Sequence, residues 1–131
     1  MPVVDASVLV EYLAGGEHAE QARRRILSEP RALWAPHLVD AEVGHVLRRA
    51  VLAGEIAAGA ARAALDDLAD LPLRRAAHVA LLERAWALRG NVSFYDALYV
   101  ALAERLDLPL ITFDARVAGA AGVRAVVDVL A

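Results

Sequence analysis

The chain has 131 residues, 59% of them hydrophobic and 24% charged, with a net charge of −3; that is one domain's worth of sequence, apolar enough for a core and not basic enough for a nucleic-acid coat protein. It has no cysteine, which excludes disulfides, thiolate nucleophiles, iron–sulfur clusters and cysteine zinc sites, and all 14 basic residues are arginine, which excludes a P-loop and Schiff-base chemistry. No apolar run is long enough to span a membrane and the N-terminus lacks the features of a signal peptide, so we expect a soluble, cytoplasmic protein.

Short apolar runs alternate with longer amphipathic ones, the pattern of a single α/β domain over residues 1–131 with a mostly parallel sheet. Residues 2–4 read as a short buried strand, and residues 7–13 as a helix that ends at Gly15 and Gly16. Residues 17–28 form a polar helix carrying Arg23, Arg24 and Arg25, closed by Pro30. A second strand spans 32–35 and stops at Pro36. In the helix 37–53, Val39, Val43, Val46, Leu47 and Ala50 make one stripe, and Gly54 ends it. Residues 55–70 pair with it as an antiparallel hairpin, followed by a strand at 71–74 and a helix over 77–89 that stops at Gly90. The helix at 94–106 is nearly all apolar and therefore central. A strand at 109–112, a short helix at 115–118 and a strand at 124–129 complete the chain.

Four acids fall where a solvated surface charge is not expected. Asp5 and Asp114 follow strands, Asp96 opens the apolar helix, and Glu42 edges the apolar stripe of the helix after the second strand. In an open parallel sheet the carboxyl ends of the strands share one side, and the helices that follow start there. All four carboxylates can therefore converge on one cleft. Each also has a simpler reading. Asp5 and Asp114 suit helix N-caps, Ser93 with Asp96 fits a capping box, and Glu42 can pair with Arg49. Caps, however, do not explain the acid on the helix 37–53. Carboxylates about 4 Å apart repel by roughly 4 kcal/mol at an effective dielectric near 20, and a bound divalent cation is the usual reason a fold accepts this. An all-oxygen donor set suits Mg²⁺ or Mn²⁺, which activate water and stabilise a leaving oxygen in phosphodiester cleavage.

V-V-D-A-S at 3–7, D-A-E-V-G-H-V-L-R-R at 40–49, Y-D-A-L-Y-V-A-L-A-E at 95–104 and L-P-L-I-T-F-D-A-R at 108–116 together resemble PIN-domain proteins, and more narrowly the VapC-type ribonuclease toxins of toxin–antitoxin pairs. The resemblance covers nearly the whole chain. It implies a three-layer α/β/α fold with a central, mostly parallel sheet of four to five short strands. It also implies metal-dependent cleavage of RNA by Asp5, Glu42, Asp96 and Asp114. Within that set we expect Asp5 and Asp96 to hold the principal metal, Asp114 to complete the site directly or through water, and Glu42 to bridge or to orient the attacking water. Ser7 and Thr112 match the hydroxyls of the family pattern and are expected to bond a carboxylate or a phosphate oxygen; Ser7 reads equally as a turn or cap hydroxyl. The implied partners are a VapB-like antitoxin and a second copy in a homodimer.

The other candidates rest on the residues alone. Arg48 and Arg49, up to two turns beyond Glu42, are the RNA-contact candidates; Arg23, Arg24 and Arg25, near Glu17 and Glu20, read as a solvated face. Tyr95 and Tyr99 are four apart on the apolar helix and read as core, with base stacking the functional alternative; Tyr12, Trp34 and Trp86 read as core or interface. The four histidines form no ligand cluster and read as structural. The hairpin 37–70 offers spare apolar surface for an antitoxin or a second copy. A haloacid-dehalogenase-type phosphatase would need an acid at Ser7, and a response-regulator receiver would need a late lysine, so both are excluded. A PIN nuclease of RNA maturation and a non-catalytic PIN scaffold remain as alternatives.

Overall fold

Val3–Val4 (β1) is a strand of two residues, both fully buried, because it is paired along both edges and covered on both faces. The computed structural model describes residues 1–29 and 32–130; the expected helix stop at Pro30 lies outside them. Leu33–Pro36 (β2), Leu73–Ala76 (β3), Leu110–Thr112 (β4) and Val127–Val129 (β5) join β1 in one sheet ordered β3-β2-β1-β4-β5, every neighbouring pair parallel. Val3 faces Trp34 on one side and Leu110 on the other.

The chain steps outward from β1 to β2 to β3 through Ala6–Ala14 (α1), Ala19–Leu27 (α2), Leu38–Leu52 (α3) and Ala58–Asp70 (α4). It then crosses back to β4 and β5 through a 3₁₀ turn at Val79–Leu81, Leu82–Ala87 (α5), Phe94–Leu106 (α6) and Ala115–Ala118 (α7). Right-handed crossovers in opposite directions place the two groups of helices on opposite faces, giving the expected three layers. From Ala97 through Ala103 every residue of α6 is buried, between the sheet and α5. Val39, Val43 and Leu47 of α3 are buried too, whereas Val46 is 41% exposed and outside the core stripe expected of it.

Boundaries moved where tertiary bonds decide them. α4 starts at Ala58 rather than near residue 55. The expected helix 77–89 is a 3₁₀ turn plus six residues, because His78 is held at the sheet edge, its Nε2 accepting the Leu38 N–H at 2.9 Å. β3 runs to Ala76, and the Ala76 carbonyl takes the His37 N–H at 2.9 Å. β5 is confined to Val127–Val129, because the Arg124 N–H turns to the Glu104 carboxylate at 3.0 Å instead of to the sheet.

Candidate active site

The carboxyl ends of β1 and β4 point the same way, and α3 and α6 begin on that side. Asp5, Glu42, Asp96 and Asp114 accordingly line one cleft of about 570 Å³. Sequence separation is no obstacle: a parallel sheet collects its strand ends at one edge.

Asp5 sits one residue past β1 and N-caps α1. Its Oδ1 accepts from the Ser7 hydroxyl at 2.6 Å and from the Val8 N–H at 3.3 Å, and its Oδ2 accepts from the Thr112 hydroxyl. The two hydroxyls also accept from the chain beyond β4: Ser7 from the Phe113 N–H at 3.2 Å, Thr112 from the Asp114 N–H at 2.9 Å. Ser7 and Thr112 thus fix the Asp5 rotamer and tie the end of β4 to the start of α1. Burial raises the Asp5 pKa, the hydrogen bonds pull against it, and the charge of Asp96 adds to the rise.

Glu42 is half-buried one turn into α3, and its Oε1 accepts from the Tyr99 hydroxyl at 2.6 Å. No Glu42–Arg49 pair forms among the described residues; both Arg48 and Arg49 are exposed and neither lines the cleft. Burial raises the Glu42 pKa, partly offset by Tyr99, and the charges of Asp96 and Asp5 raise it further. The Tyr99 phenol is pushed well above its ordinary value by burial and by Glu42. Asp96 lies in the first turn of α6, where Ser93 caps its backbone N–H at 3.0 Å; burial raises its pKa, and the charge of Asp114 adds to this. Asp114 differs. It caps α7 through the Arg116 N–H at 3.0 Å and pairs with the Arg116 guanidinium at 3.0 and 2.8 Å, so Arg116 holds its pKa below the usual carboxylate range. The cap readings of Asp5 and Asp114 are therefore correct, and each of these two carboxylates also lines the cleft.

The donor chemistry fits a hard divalent cation, since every acid offers oxygen and three of the four are disfavoured as bare charges. Among the described residues, however, no three His, Cys, Asp or Glu side chains stand close enough together to hold an ion as placed. Three of the acids are engaged by neighbours: Asp5 by Ser7 and Thr112, Glu42 by Tyr99, and Asp114 by Arg116.

Several other readings change. Tyr99 is core at 2% exposure, but Tyr95 is 60% exposed and lines the cleft. His45 lines it as well, three residues beyond Glu42; that spacing on one helix face was the signal for it. Trp86 is 61% exposed, with Arg89 over its ring at 4.8 Å, and Val79 and Leu82 earlier in the segment are exposed too. Arg25 is not part of a solvated face: it is mostly covered and joins Glu29 to Asp128 on β5. Leu52 and Leu65 do leave apolar surface on the α3–α4 hairpin. No helix among the described residues is long and apolar enough to cross a membrane.

The sequence matches the PIN domain family over residues 3–123. It is 54% identical over 121 residues to ribonuclease VapC1 of Mycobacterium tuberculosis, covering 92% of this chain and 90% of that protein. The fold is shared with VapC20 of M. tuberculosis, a Sarcin–Ricin-loop-cleaving toxin, at a TM-score of 0.75 and 24% identity over 96% of this chain and 98% of that one. It is also shared with a chain of a toxin–antitoxin complex from Klebsiella pneumoniae, at a TM-score of 0.67 and 22% identity over 98% and 97% of the two chains. The chain belongs to the PIN-domain family and, within it, to the VapC-type toxins.

Proposed function

We propose that this protein is a divalent-metal-dependent endoribonuclease and the toxin of a toxin–antitoxin pair. The observation that carries the proposal is the meeting of Asp5, Glu42, Asp96 and Asp114, from four distant segments, along one cleft; membership of the VapC family supports the choice of RNA. Asp5, Asp96 and Asp114 are the residues that would hold Mg²⁺, or Mn²⁺ in its place. When bound, such an ion neutralises phosphate charge and makes water a better nucleophile.

The protein's own contribution is positioning. Ser7 and Thr112 hold the Asp5 carboxylate in one rotamer, so the ligand is oriented before anything binds. Glu42, aimed by the Tyr99 hydroxyl, orients the attacking water and takes its proton at Oε2, the oxygen that Tyr99 leaves free. Burial raises the Glu42 pKa and so makes it a better base than a solvated carboxylate. The cognate partner is a VapB-like antitoxin, whose arginine-bearing tail complements the acidic cleft. The active form is a homodimer in the cytoplasm.

The test is RNA cleavage in Mg²⁺, in Mn²⁺ and in EDTA, comparing the parent with Asp5→Asn and Asp96→Asn. Cutting that needs the metal and disappears in both variants is the expected result. Cutting that persists in EDTA rejects the mechanism. Well-folded, antitoxin-free protein that cuts neither total RNA nor oligonucleotides would instead be a PIN scaffold that binds without catalysis.

A further inference from the structure

Among the described residues the lining of the cleft contains four acids and no arginine, and the only side chain there able to carry a positive charge is His45. Arg116, two residues beyond Asp114, is already paired with that acid. The cleft walls themselves therefore offer a phosphate mainly like charge, and attraction to it falls to a bound cation and not to the side chains. Apart from Ser7, the rest of the lining is apolar or aromatic, with Tyr95, Val46 and Leu38 alongside the acids.

Tyr95 and Tyr99 are one helical turn apart but have opposite fates. Tyr99 is 2% exposed and bonded to Glu42; Tyr95 is 60% exposed. Among the described residues the Tyr95 side chain makes no hydrogen bond and its ring meets no other aromatic ring, although it immediately precedes Asp96 at the start of α6. Every nucleobase has an apolar face that can stack on such a ring, and stacking does not depend on charge.

We propose that Tyr95 is the base-stacking residue of this cleft, taking one face of an unpaired nucleobase and so seating the adjoining phosphate at Asp96, the next residue along the helix. The inference rests on the ribonuclease reading for its substrate and names the class, which is single-stranded RNA, because a base inside a duplex has no free face. Stacking is tolerant of base identity, so Tyr95 selects unpaired segments rather than a sequence.

The experiment measures steady-state cleavage of a single-stranded RNA oligonucleotide by the full chain and by Tyr95→Ala, Tyr95→Phe and Tyr95→Trp. The same oligonucleotide, fluorescently labelled, is titrated in EDTA by anisotropy, where nothing is cut. Tyr95→Ala should raise KM and weaken binding about tenfold, while Phe and Trp stay within about twofold of the parent. The Tyr95→Ala kcat should change less than about threefold, since the residue does not touch the reacting bond. Equal KM in parent and Tyr95→Ala overturns the inference. So does Tyr95→Phe behaving like Ala, which would assign the role to the hydroxyl. A parent that binds but does not cut, with Tyr95→Ala binding about tenfold more weakly, rejects the nuclease reading and keeps the stacking role. A parent that neither cuts nor binds rejects both. Thermal melts of the variants should match the parent within a degree or two, because the side chain is 60% exposed.

Discussion

The Tyr99 hydroxyl donates to Glu42 Oε1 at 2.6 Å, joining α6 to α3 at the cleft. Tyr99→Phe keeps the buried ring and removes only the donor. The ionised form of Glu42 then loses the bond that favours it, while burial and the charges of Asp96 and Asp5 continue to raise its pKa. The Glu42 pKa then rises further, so the acidic limb of the kcat–pH profile should move to higher pH. kcat should fall on that limb, and the deficit should shrink as pH rises. A profile that drops uniformly with no displacement would mean that Glu42 is not the proton acceptor.

Asp96→Asn should be more stable than the parent in EDTA and inactive as a nuclease. The folded state disfavours the Asp96 charge by burial and by its proximity to Asp114, and Asp96 in turn raises the pKa values of Asp5 and Glu42. For a raised carboxyl the folding cost is present above the folded-state pKa and is relieved as pH falls through it. Asparagine removes that cost at neutral pH and leaves the Ser93 cap, which binds the backbone N–H, intact. Calorimetry in EDTA should show a Tm higher by a few degrees, while adding Mn²⁺ should raise the parent's Tm more than the variant's. A lower Tm in EDTA would mean that Asp96 serves folding.

How much of this was legible in the sequence depended on whether the deciding contact was local. α6 begins and ends where expected because Ser93 caps it and Asp107, in the left-handed region at φ 53, closes it just before Pro109. The four acids were legible because their places follow from strand ends and helix starts. Tyr95 was misread because helical periodicity says which residues share a face, not whether that face has passed the edge of the sheet; in the first turn of α6 it has. Arg25 was misread because its partner Asp128 lies 103 residues away. The shortened α5 follows from the His78–Leu38 bond, which joins two segments 40 residues apart.

Arg116 competes with a cation for Asp114. Its guanidinium pairs with both oxygens of that carboxylate, at 3.0 and 2.8 Å, yet its side chain is 90% exposed, so the pair is screened and easily exchanged. Arg116→Ala should tighten Mn²⁺ binding by about twofold to fivefold in calorimetric titrations of metal-stripped protein. The gain should vanish when Asp114→Asn is combined with it, because the two changes act through one carboxylate. Equal affinity in parent and Arg116→Ala would show that Asp114 takes no part in holding the ion.

Far from the cleft, Glu104 holds three segments together. Its Oε1 accepts from Arg84 Nε at 2.7 Å and its Oε2 from Arg84 Nη2 at 3.3 Å and the Arg124 N–H at 3.0 Å, while Arg84 Nη2 also donates to the Gly122 carbonyl at 2.6 Å. α5, α6 and the chain before β5 meet there, and the Glu104 side chain is only 13% exposed. Burial raises its pKa, but those bonds outweigh burial and hold it below the ordinary glutamate value. A lowered carboxyl stabilises the fold above its unfolded pKa, and that stability is lost as pH falls through the folded value. Glu104→Gln should therefore cost about 2 kcal/mol at pH 7 by chemical denaturation, the worth of charge-assisted bonds turned neutral. Below pH 4.5 the gap should close, because the parent's own carboxyl is then taking up its proton. A gap that stayed constant from pH 7 to pH 3 would assign the loss to packing and not to the charge.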